Sequence, residues 1–114
     1  MPYLEIKCSE YTAVWLVVMF DLPVKTKIQK RKYSKFRNSL LSNGFTRLQF
    51  SVYSRPFLSE EASLSCQSLL ISSLPPDGHV RLLVVTDRQY GKMRSFFGKK
   101  PTENDAGCQQ ILLF

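Results

Sequence analysis

Asp21 is the first residue whose type and place suggest chemistry. It follows the apolar run Val14–Phe20 and precedes Leu22-Pro23. A carboxylate directly after a buried strand stands at a sheet edge, where ligands are often bound. One carboxylate is a poor cage for Mg²⁺, which asks for converging oxygens and waters. A catalytic and metal-binding Asp21 therefore needs a second carboxylate, and a homodimer that apposes its sheets would supply one by symmetry. The plain alternative is that Asp21 caps the turn before Pro23 or pairs with Lys25.

The second feature is a block of cations. Between Leu22 and Ser59 there are nine basic residues and no acidic one: Lys25, Lys27, Lys30, Arg31, Lys32, Lys35, Arg37, Arg47 and Arg55. A solvated helix face usually mixes both signs for i,i+4 pairing, and like charges alone repel. Phosphate binding explains the block better than solvation does. Six neutralised phosphates would make log K fall with log salt at a slope of about −5.

Other groups carry less. His79 follows Asp77-Gly78 and reads as a turn-edge residue, because no nucleophile accompanies it. Cys66 reads as core. Phe45, Phe50 and Tyr53 suggest a base-stacking sheet, but the glycine-containing signature of that RNA-binding module is absent.

The elements that must position these residues follow from periodicity. Val14–Phe20 is a continuous apolar strand, ended at Asp21-Leu22-Pro23 because proline cannot donate to a ladder. Residues 25–43 read as a helix with Thr26 as N-cap, a buried face of Tyr33, Phe36, Leu40 and Leu41, and a stop at Asn43-Gly44. Phe45–Tyr53 alternates with period two, as one long strand or two short ones kinked near Gln49–Ser51. Ser59–Leu74 is a second helix, opened by Glu60 and Glu61 and burying Ala62, Cys66, Leu69 and Leu70. Val80–Thr86 is another strand, and Asp87–Met93 holds at most a helical turn. The order is that of a ferredoxin-like βαββαβ α+β sandwich, with helices on one side of an antiparallel sheet. The other face, with Trp15, Val17 and Met19, would be bare on a monomer and predicts a homodimer through the sheets.

Composition narrows the class. The chain has 114 residues and a formal net charge of +7. It reads as a single domain, 1–114, with a lead-in over 1–12 and a C-terminal strand over 109–114. The charge favours a polyanionic partner. Cys8, Cys66 and Cys108 are an odd count at wide spacing and do not read as a disulfide framework, and with no C-x-x-C pair and one histidine a thiolate–imidazole zinc site is disfavoured. The longest apolar run, Ala13–Phe20, falls far short of the roughly 20 residues of a membrane helix. It also makes a poor secretory signal, so no membrane association and a cytoplasmic location are expected.

Met19-Phe-Asp21-Leu-Pro23, the basic helix and Arg47-Leu-Gln-Phe-Ser-Val-Tyr53 together resemble the family of CRISPR-associated protein two, the small subunit of the spacer-acquisition machinery. Gly78–Met93 is similar to the form found in type II systems, and the likeness covers about residues 13 to 114. It implies a ferredoxin-like homodimer that bridges dimers of the CRISPR integrase and holds the foreign double-stranded DNA before insertion. It also implies a possible metal-dependent nuclease whose metal-binding residue, at the end of the first strand, is Asp21. The leading expectation is thus a DNA-binding adaptor. The alternative is a Mg²⁺-dependent endoribonuclease or endodeoxyribonuclease using Asp21 from both protomers. A third reading is a monomeric RNA-binding module that prefers single strands.

The end of the chain, Gln110-Ile111-Leu112-Leu113-Phe114, is too apolar to stay free in water. It is expected to form an edge strand on its own sheet or that of its twin, near the integrase contact. It also resembles the short peptide with which bacterial proteins dock on the sliding clamp. The strand is the favoured reading, because a clamp ligand must remain unpaired.

Overall fold

The computed structural model describes residues 12–102. Its main sheet has four antiparallel strands in the order β4-β1-β3-β2: β1 (Val14–Asp21), β2 (Thr46–Gln49), β3 (Val52–Phe57) and β4 (His79–Thr86). Helices α1 (Lys27–Ser42) and α2 (Glu60–Ser72) connect β1 to β2 and β3 to β4. This is the ferredoxin-like arrangement expected from the element order. A short helix α3 (Asp87–Gly91) follows β4, and β5 (Ser95–Phe97) pairs with β6 (Lys100–Thr102) in a separate hairpin. The expected C-terminal strand lies outside the described residues, as does nearly all of the lead-in.

β1 lies centrally because its residues are apolar towards both faces. Its register runs from Val14↔Phe57 to Met19↔Val52 on one side and from Val14↔Thr86 to Asp21↔His79 on the other. Leu16, Val18 and Phe20 join Phe36 and Leu40 of α1, Tyr53 and Phe57 of β3, and Cys66 and Leu70 of α2 in the main core. On the helices, Leu41, Ala62 and Leu69 are exposed, contrary to expectation; on α2 the buried face is Ser63, Cys66 and Leu70. Ser63 fits there because its hydroxyl donates to the Glu60 carbonyl of its own helix at 2.7 Å.

Helix α1 is bounded by local chemistry that the sequence announces. Thr26 Oγ1 accepts from Gln29 N at 3.1 Å, and Gln29 Oε1 accepts from Thr26 N at 3.1 Å, forming a reciprocal cap. At the other end Gly44 takes φ +87°, Phe45 N donates to Leu40 O and Gly44 N donates to Leu41 O. That is the Schellman pattern, which glycine adopts without a Cβ clash. The stretch from Phe45 to Tyr53 is divided between two short strands, β2 and β3, and not one long one. A register shift between Arg47 and Gln49 and a φ of +63° at Ser51 break the simple alternation.

The second sheet face corrects one expectation. Trp15 and Val17 are not bare: they are 3% and 8% exposed. Tyr90 of α3 stacks on Trp15 with ring centroids 4.0 Å apart, and Trp15 Nε1 donates to Asp87 Oδ1 at 2.7 Å. Met93 packs against the same cluster. The chain thus covers this part of its own sheet, so these two residues give no argument for a partner. No described helix is long and apolar enough to cross a membrane.

Candidate nucleic-acid interface

The cations of α1 fall on three sides of one helix. Lys27, Arg31 and Lys35 are spaced i, i+4, i+8, a row about 12 Å long at 1.5 Å per residue. All three are exposed, as are Lys25, Lys30 and Lys32. Lys32 and Lys35 line a groove of about 450 Å³ between α1 and the end of α2, with Ser39, Ser72, Ser73 and Pro75. Lys30 and Arg37 stand three residues before and four after Tyr33, on the flank that faces the β2–β3 turn. Arg37 is half-buried, and its Nε has no hydrogen-bond partner among the described residues.

This charge arrangement works against the helix itself. The first turn of α1 contains no acid, and Lys27 and Lys30 sit near the positive end of the helix dipole. Helix α2 shows the usual remedy, with Glu60 and Glu61 in its first turn. Helix α1 is held by its cap and its apolar face instead, while its cations have no acid on their own helix to pair with. A polyanion outside the protein would neutralise them.

Arg55 belongs to a different environment from the other predicted phosphate ligands. It points to the helix side of the sheet, between Tyr53 and Phe57. Its Nη1 donates to the Asn43 carbonyl at 2.9 Å and approaches Cys66 Sγ at 3.8 Å. The guanidinium lies 4.6 Å from the Phe57 ring centroid. This arginine ties the C-terminus of α1 to β3 and α2. Arg47, in contrast, is exposed on β2, with its guanidinium 5.8 Å from the Phe50 ring centroid.

Asp21 is exposed at the last position of β1. Among the described residues it neither caps the Pro23 turn nor pairs with Lys25; the Lys25 backbone N–H donates to Gln29 Oε1 at 2.9 Å. Its cross-strand neighbour is His79, also exposed. Sequence reasoning set His79 aside, and only the strand register brings the two onto one face. Gly78, at φ +89°, presses against this strand end: a Cβ there would come 2.5 Å from the Asp21 carbonyl oxygen. Asp77 lines a small pocket with Leu22, Pro23, Gln29, Lys32 and Tyr33, on the helix side. No group of three or more His, Cys, Asp or Glu residues suited to a metal occurs among the described residues. The described part of one chain therefore does not by itself fit Mg²⁺, whose coordination Asp21 would only begin.

Comparison with known proteins identifies the family. The sequence model of a family described as CRISPR associated protein Cas2 matches residues 14–93, from the start of β1 to just beyond α3. A protein of Flavobacterium psychrophilum named CRISPR-associated endoribonuclease Cas2 is 39% identical over 108 residues, covering 95% of this chain and 94% of that protein. Proteins of the same name from Parvibaculum lavamentivorans and Ligilactobacillus salivarius are each 38% identical. Those matches cover 89% and 86% of this chain, and 100% and 97% of the relatives.

Proposed function

The chain belongs to the CRISPR-associated Cas2 family, and we propose that it grips polynucleotide phosphates through α1 and cleaves a phosphodiester at Asp21. The observation that carries the reading is the uncompensated charge of α1, with lysines at the positive end of the helix and no acid in its first turn. The names of the relatives support cleavage, with RNA as the substrate. Asp21 suits the task because it is exposed and offers a carboxylate beside the basic surface. Such a group can accept the proton of an attacking hydroxyl or help to hold a cation. Mg²⁺ would stabilise charge on the phosphate, and Asp21 together with Asp21 of the partner subunit in a homodimer would hold it.

A second reading is a homodimeric adaptor of spacer acquisition that bridges integrase dimers and holds foreign duplex DNA. The solitary Asp21 favours it, because gripping phosphates needs no second carboxylate. Two variants separate the readings. Lys30→Glu with Arg31→Glu should abolish binding in a filter titration without unfolding the chain, and unchanged affinity would remove α1 from the interface. Asp21→Asn should abolish RNA cleavage and leave binding intact. If that variant loses cleavage yet still supports spacer acquisition, the adaptor reading holds; cleavage at the parent rate would exclude Asp21.

A further inference from the structure

We propose that Phe50 is a stacking platform for an unpaired nucleobase, so that the α1 surface discriminates single-stranded or frayed polynucleotide from closed duplex. The proposal rests on the phosphate-gripping reading of α1 and adds to it a subsite and a preference for strand state.

Three features meet at this residue. The first is an exposed ring. Of the aromatic residues around the β2–β3 turn, Phe45 and Tyr53 are 3% and 2% exposed, whereas Phe50 is 69% exposed. Exposure alone means little, since single apolar side chains on surfaces are common. The second feature is a fixed mount. The Phe50 ring lies on Tyr33 with centroids 5.9 Å apart and planes 21° from parallel. Tyr33 is in turn held by a 3.2 Å hydrogen bond between its hydroxyl and Ser51 Oγ, and by its ring contact with Phe20 at 5.7 Å. Ser51 adopts φ +63°, a conformation uncommon for a residue with a side chain, and its carbonyl accepts from Phe20 N at 3.0 Å. The turn is thereby pinned beside the strand end that carries Asp21.

The third feature is charge around the ring. Arg47 stands 5.8 Å from the ring centroid, and Lys30 and Arg37 flank Tyr33 on the same side of α1. Non-specific single-strand binding combines these two components, cations that track the backbone and an aromatic face that takes a base. A base entering between Phe50 and the Arg47 guanidinium, displacing the latter from the ring, would gain a ring contact on one side and a guanidinium contact on the other. Bases inside a duplex are already stacked, and they offer this ring nothing unless the end frays.

The test compares a short single-stranded RNA carrying a fluorescent adenine analogue with the same strand in a fully paired duplex. Phe50→Ala should weaken single-strand binding by about 5- to 150-fold, abolish quenching of the analogue, and change duplex binding less than about twofold. Phe50→Trp should restore binding. Phe50→Leu, which keeps apolar bulk but lacks a π-face, should fail like alanine and guards against a mere packing effect. Melting curves of all three should match the parent, as expected for so exposed a ring. Retained single-strand affinity in Phe50→Ala or Phe50→Leu would overturn the proposal, as would equal losses for both ligands. So would dissociation of an oligomer by Phe50→Ala, which would make Phe50 a protein contact. A parent protein that binds neither ligand would instead remove the α1 reading, and this subsite with it.

Discussion

Tyr90 offers a test of how α3 protects the sheet, because two of its substitutions separate a hydrogen bond from a covering ring. The residue is 2% exposed; its hydroxyl lies 2.8 Å from Ser54 Oγ, and its ring is stacked 4.0 Å from Trp15. Tyr90→Phe keeps the ring and deprives the buried Ser54 hydroxyl of that partner. An unsatisfied buried polar group costs about 1–3 kcal/mol, so the loss should fall in that range. Tyr90→Ala removes the ring as well, and truncation of a buried aromatic costs about 3–5 kcal/mol. The two values overlap in the lost hydroxyl and are not summed. Urea unfolding followed by fluorescence gives both numbers, with Trp15, the chain's one tryptophan, as the reporter at the site itself. Tyr90→Ala should also uncover Trp15 and Val17 and increase self-association in light scattering. A cost below about 1 kcal/mol for Tyr90→Ala would refute the idea that α3 is a cover, as would equal costs for the two substitutions.

Two further predictions concern the residues around the proposed site. Gly78→Ala should destabilise the chain by more than about 1 kcal/mol in thermal melts, since it forces a Cβ into a left-handed position against Asp21 and Leu22. It should lower cleavage while leaving phosphate affinity intact; a neutral effect on both would show that this strand end yields easily. Arg55→Met should lower stability by about 1–3 kcal/mol through loss of the hydrogen bond to Asn43, with no change in the salt dependence of binding. A slope that becomes shallower by about 0.9 would instead return Arg55 to the nucleic-acid surface.

Signals that act within a few residues were readable from the chain. The Thr26 cap, the Asn43-Gly44 stop and the apolar run of β1 each depend on neighbours in sequence, and each appears where those neighbours require it. Arg55 was legible in principle as well: it stands between Tyr53 and Phe57 at period two, and a cation on the buried stripe of a strand belongs to the fold before it belongs to a ligand. Grouping cations by sign and not by face set Arg55 among the phosphate ligands. Near Phe50 alternation itself failed. The register shift after Arg47 and the positive φ of Ser51 reset which side chains point inward, so one period does not run unbroken from Phe45 through Tyr53.

The remaining features are set by contacts distant in sequence, which periodicity does not record. The covering of Trp15 depends on Tyr90, which lies on a helix of five residues, too short to show a hydrophobic stripe. Its hydroxyl partner, Ser54, is 36 positions away. The same holds at the strand end that carries Asp21. His79 is its neighbour only because β4 pairs with β1 over a full eight-residue register, and Phe50 approaches only because Ser51 O binds Phe20 N. The carboxylate, the imidazole and the exposed ring are thus gathered at one end of the sheet by three chain segments. The apolar strand that ends in Asp21 is the common element, and its hydrogen bonds on both sides determine which groups a bound phosphate would meet.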